Sequence, residues 1–114
     1  KYISDLLIKN DRISRIEPNI EDIDIDSIID ATNKILLPGL IDDQVHFREP
    51  GLTHKGTINS ESKAAVAGGI TSYIEMPNTL PQTTTIDELN NKFKIAENSS
   101  YANYSFMFGA TNST

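Results

Sequence analysis

Residues 38 to 51 read Pro-Gly-Leu-Ile-Asp-Asp-Gln-Val-His-Phe-Arg-Glu-Pro-Gly. The apolar residues Leu36, Leu37, Leu40 and Ile41 lead into Asp42, Gln44, His46 and Arg48. A short buried strand has this character, with polar groups gathered at its C-terminal end. Side chains alternate along a strand, so a regular strand puts Asp42, Gln44, His46 and Arg48 on one face. A carboxylate, an amide, an imidazole and a guanidinium then look into one space. Such a set can hold a metal and an anion side by side.

Downstream the texture is βαβαβ. Leu40 to His46 is the first strand, and the loop at residues 51–56 follows it. Ile58 to Ala67 is a helix, with strong helix formers from Ser62 onward and Gly68-Gly69 to close it. Ile70 to Glu75 is the second strand. Pro77 to Thr85 is a long loop with two prolines. Thr85 or Asp87 caps a helix from Ile86 to about Asn98, with Leu89, Phe93 and Ala96 on its buried face. Tyr104 to Phe108 is the third strand, ended by Gly109. Strands alternating with helices imply parallel pairing.

Upstream, residues 2 to 17 read as two short strands around the turn pair Asn10-Asp11. Further strands are expected near Ser27 to Ile29 and Lys34 to Leu37. The fold class is therefore α/β, with a small all-β portion over residues 1–37 and the βαβαβ portion over 38–114.

The stretch at 38–51 resembles the first barrel strand of the metal-dependent amidohydrolase superfamily, whose pattern is Pro-Gly-x-Ile-Asp-x-His-x-His. It is similar more narrowly to the dihydroorotase family, in which Phe-Arg-Glu-Pro-Gly follows. Met76-Pro77-Asn78-Thr79 is a second signature of that family, and Ser62 to Thr71 fits its first barrel helix and second strand. The match is strong from residue 36 to 81 and looser elsewhere. One departure matters: the family's first His is Gln44 here.

The resemblance implies the start of a (β/α)8 TIM-type barrel, preceded by part of the small β-sandwich domain that flanks it. A complete barrel takes about 250 residues. With 114 residues, a non-Met start at Lys1 and a loop-like end, the chain is expected to be a piece of a longer enzyme. The implied activity is interconversion of N-carbamoyl-L-aspartate and L-dihydroorotate in pyrimidine synthesis. The piece alone is expected to be inactive, because the remaining histidines, the bridging ligand and the catalytic carboxylate of the last strand fall beyond residue 114.

His46 is expected to be a zinc ligand through a neutral imidazole nitrogen; a histidine satisfied in a core is the bland alternative. Gln44 leaves three readings open. It ligates weakly through its amide oxygen, it holds a water or a neighbouring ligand, or one of the family's one or two zinc positions is lost. By the resemblance, Arg48 and Asn78 bind the substrate carboxylate. Their bland alternatives are an ion pair of Arg48 with Glu49 or Glu75 and a turn role for Asn78. Asp42 supports the strand or orients a ligand. Asp43 and His54 read as solvated.

Net charge is −6, which argues against nucleic acid and anionic membranes as partners. The acidic run Glu21, Asp22, Asp24, Asp26 and Asp30 alternates with isoleucines and reads as a solvated edge. It lacks the glycine and terminal Glu of a calcium loop. There is no cysteine, no Gly-x-Gly-x-x-Gly and no Walker loop. No membrane-length apolar run and no leader pattern occur, so a cytoplasmic location is expected. The resemblance implies a small carboxylate-bearing substrate, and a homo-oligomer is the expected assembly. Allantoinase and hydantoinase are the neighbouring enzyme readings. The reading from another class is a non-catalytic dihydroorotase-like partner of aspartate carbamoyltransferase, for which the loss of a His at Gln44 speaks. Intact ligands beyond residue 114 would favour the enzyme.

Overall fold

The structure, a computed structural model, describes residues 3–21 and 24–112. It divides into two compact units, Lys1–Leu36 and Leu37–Thr114.

In the first unit, β1 (Asp5–Lys9) pairs antiparallel with β2 (Arg12–Glu17). The turn between them is Asn10-Asp11, with φ of 50° and 58°. Two consecutive positive φ values are what a tight hairpin turn needs, and Asn and Asp tolerate them better than other side chains. The strands expected near Ser27 to Ile29 and Lys34 to Leu37 are absent; both segments are irregular. Their apolar spacing is that of strands, but no described segment offers them a hydrogen-bonding edge. Ile28, Ile29, Ile35 and Leu36 stay exposed as a result. Among the described residues, a hairpin is the one part of the expected sandwich that is formed. Asp22 and Ile23, in the acidic run, lie outside the described residues; Glu21, Asp24, Asp26 and Asp30 are exposed.

The second unit is a parallel sheet in the order β3 (Leu40–Val45), β4 (Ile70–Glu75), β5 (Asn103–Phe106). Helix α1 (Ile58–Ala67) links the first two strands, and α2 (Ile86–Glu97) the second and third. Thr57 opens α1: its hydroxyl accepts the Ser60 N–H at 3.1 Å, and the Ser60 hydroxyl accepts the Thr57 N–H at 3.0 Å. Gly68 and Gly69 end the helix, Gly69 at φ 92° where a side chain would be strained. Thr85, not Asp87, caps α2.

Phe47, Ile58, Tyr73, Ala96 and Phe106 form the core. Phe47 lies against Tyr73 with ring centroids 4.5 Å apart. Such aromatic burial supplies about 1.5 to 3 kcal/mol per side chain. The buried face of α2 differs from the expected one. Lys92 is 1 % exposed, whereas Phe93 is partly exposed and packs edge-on to Phe106 at 5.0 Å. Ser62 joins α1 to the approach of β5, its hydroxyl accepting the Tyr101 N–H at 3.1 Å. Two strand ends fall short of expectation. β3 stops at Val45 and β5 at Phe106, where pairing with β4 ceases.

Candidate active site

Parallel α/β sheets present their chemistry at the C-terminal ends of the strands. Here the segment after β3 carries His46 and Arg48, and the segment after β4 carries Met76-Pro77-Asn78-Thr79. Met76 N–H donates to the Val45 carbonyl at 3.0 Å, so the two segments leave the sheet side by side.

Strict alternation does not survive to this end of β3. Asp42 pairs with Tyr73 and Val45 with Glu75, so three steps on one strand match two on the other. The extra residue makes an irregularity of the β-bulge kind, which re-aims the side chains that follow. Asp42 stabilises it, its Oδ1 accepting the Gln44 N–H at 3.1 Å. Past the bulge, Arg48 adopts φ 73° and its carbonyl accepts the Leu52 N–H at 3.0 Å. The expected single face of Asp42, Gln44, His46 and Arg48 is thereby replaced by a bulge and a turn.

His46 is exposed, and its Nδ1 lies 3.0 Å from Asn78 Oδ1 across the two segments. With the Asn78 oxygen accepting, His46 carries its proton on Nδ1 and keeps the Nε2 lone pair available. Asn78 Nδ2 then remains a free donor; it has no partner among the described residues. Gln44 is exposed, and its side-chain amide makes no hydrogen bond among the described residues. Arg48 is half-buried, and its guanidinium forms no ion pair among the described residues. Its backbone N–H, not its side chain, meets Glu75, at Oε1 and 3.0 Å. Asp43 and His54 are exposed.

Among the described residues no three His, Cys, Asp or Glu side chains gather as a metal requires. The donor chemistry at His46 nevertheless fits one corner of a metal site, since an imidazole oriented through Nδ1 offers Nε2 outward. Beside it a hollow of about 190 Å³ is lined by Pro77, Asn78, Gln82, Thr84, Gly109 and Ala110.

Beneath the two segments lies a buried ion pair that sequence reading missed. Glu75, 0 % exposed, places Oε2 at 2.8 Å from Lys92 Nζ. Lys92 Nζ also donates to the Met76 carbonyl at 3.2 Å and sits 4.9 Å from the Phe106 ring centre. Burial pushes the Glu75 carboxyl up, against the opposing pull of Lys92 and the Arg48 and Phe47 amides. Burial likewise pushes the Tyr73 phenol up to about 12. The available signal for Lys92 was its place between Leu89 and Ala96 on the apolar stripe of α2, where a solvated lysine is out of register.

A family profile described as dihydro-orotase-like matches residues 33–104. The dihydroorotase of Ehrlichia chaffeensis is 45 % identical over 112 residues, covering 95 % of this chain and 25 % of that protein. The dihydroorotase of Carboxydothermus hydrogenoformans is 52 % identical over 77 residues, covering 68 % of this chain and 18 % of that protein. Among solved structures, an L-hydantoinase (dihydropyrimidinase) from Arthrobacter aurescens superposes with a TM-score of 0.88 at 33 % identity. That match covers 96 % of this chain and 24 % of the hydantoinase, so the chain spans a quarter or less of the length of these relatives. On its profile match, its strand-end motifs and its parallel βαβαβ sheet, the chain belongs to the dihydroorotase-like family.

Proposed function

We propose that the full-length protein carrying this chain is a dihydroorotase, and that this part contributes substrate recognition and one corner of the metal site. The meeting of His46 and Asn78, 32 residues apart in sequence, is the observation that carries the reading. It joins a metal-ligand type of side chain to the amide of the second family motif.

In this reading the Asn78 Nδ2 and the Arg48 guanidinium donate to the substrate carboxylate, Arg48 as a bidentate fork. Asn78 Oδ1 holds the His46 ring so that Nε2 faces the metal. His46, with Gln44 as a weak oxygen donor or a holder of water, lies at the zinc. When bound, zinc supplies polarisation of the ring carbonyl and activation of water. The partner is a small cyclic amide and its opened N-carbamoyl form. Hydantoinase chemistry is the second reading, favoured by the Arthrobacter aurescens structure. A free guanidinium at Arg48 favours a substrate that carries a carboxylate. No described helix is long and apolar enough to cross a membrane.

Arg48→Ala in the full-length protein tests the assignment. Losing a buried charge-assisted pair costs about 2 to 5 kcal/mol of binding. Calorimetry should show that loss for dihydroorotate and a much smaller one for dihydrouracil, the same ring without the carboxylate. Equal losses for both would remove Arg48 from the carboxylate.

A further inference from the structure

Glu75 and Lys92 are 0 % and 1 % exposed, and neither is placed to touch a substrate or a metal in the reading above. Their polar contacts reach both functional segments. Glu75 Oε1 accepts the Arg48 N–H at 3.0 Å. Arg48 holds φ 73°, a conformation that side-chain-bearing residues seldom adopt and that persists only where the surroundings over-determine it. On the other side, Lys92 Nζ donates at 3.2 Å to the carbonyl of Met76, two residues before Asn78. The 2.8 Å ion pair connects the two anchors.

A buried ion pair is a poor device for stability alone. Well-packed apolar residues in its place are often neutral or stabilising, because two charges no longer have to leave water. What apolar residues do not supply is an acceptor for Arg48 N–H and a donor for Met76 C=O. We propose that Glu75 and Lys92 form a positioning pair for substrate recognition. Glu75 fixes the Arg48 turn after β3, Lys92 fixes the start of Met76-Pro77-Asn78-Thr79 after β4, and the ion pair locks the two in register. The link to substrate rests on the proposed function; the link to the two segments does not.

The test is the double variant Glu75→Met/Lys92→Met in the full-length protein, read by amide hydrogen exchange and by steady-state kinetics. The variant should fold, and exchange should quicken in peptides covering residues 46–49 and 76–79 while α1 and β5 keep their protection. KM for N-carbamoyl-L-aspartate should rise about 10- to 100-fold, the scale of a small misplacement of binding groups, and by more than kcat falls. Adding Arg48→Ala to the double variant should then raise KM little further. Unchanged exchange, or exchange that quickens equally through α1 and β5, would overturn the proposal. So would a KM loss fully additive with Arg48→Ala. Should the double variant not fold, Glu75→Gln replaces it. The amide oxygen still accepts from Arg48 N–H, so residues 76–79 should loosen while 46–49 stay protected, and uniform loosening would overturn the pair's role. A wild type without dihydroorotase turnover would sink the proposed function, and the exchange measurement alone would then decide this inference.

Discussion

At the scale of single residues, the proposed function makes Gln44 the position on which metal binding turns. An amide oxygen is a weaker zinc ligand than an imidazole, and here the amide is exposed and without a partner among the described residues. If Gln44 lies at the metal, Gln44→His in the full-length protein should raise retained zinc. Changes in the groups that merely support a metal's ligands already shift affinity by about 10- to 100-fold. Mass spectrometry of identically prepared proteins measures it, and equal zinc content in both would place Gln44 away from the metal. His46, Arg48 and Asn78 could be singled out in the sequence because each sits in a short motif. Lys92 could not. A lysine on a helix is ordinarily solvated, and its burial is made tolerable by tertiary partners, Glu75 and the Met76 carbonyl, that lie far off in sequence. The Arg48 turn was equally hidden, since strand alternation predicts nothing about a bulge between Asp42 and Val45.

At the scale of elements, the loop after β3 is held to the loop after β4 by close backbone approach. Gly51 has φ 84°, and a Cβ there would lie 1.9 Å from the Leu80 carbonyl oxygen. The neighbouring Pro50 carbonyl accepts the Leu80 N–H at 3.1 Å. Gly51→Ala should therefore destabilise the protein by more than about 1 kcal/mol, from the positive φ alone. On the proposed function, it should also weaken dihydroorotate binding by the full-length protein, because the two loops carry Arg48 and Asn78. Denaturant unfolding with parallel calorimetry reads both, and an unchanged midpoint would show that the loops part without cost. Elements with local signals were legible: α1 and β4 run over the residues that capping groups, helix formers and β-branched residues indicate. The segments near residues 27–29 and 34–37 were not, because strand propensity describes a side chain's fit to a sheet and provides no partner edge.

At the scale of the molecule, the three parallel strands and one hairpin of the described residues leave much apolar surface in water. Leu40 and Ile41 of β3 are 57 % and 71 % exposed. Uncovered apolar faces and open strand edges favour association. The 114-residue chain alone should form soluble aggregates or fail to unfold cooperatively. A monomer in analytical ultracentrifugation with a sharp denaturant transition would contradict this. The barrel reading came from motifs that cover the strand ends, and the parallel order β3-β4-β5 agrees with it. Whether the full-length protein is a dihydroorotase is decided by its turnover. Supplied with excess zinc, it should open dihydroorotate to N-carbamoyl-L-aspartate with a kcat/KM about 100-fold or more above that for hydantoin, the advantage expected from a paired carboxylate. No turnover of dihydroorotate under those conditions, or hydantoin opened as fast, would rule out a dihydroorotase.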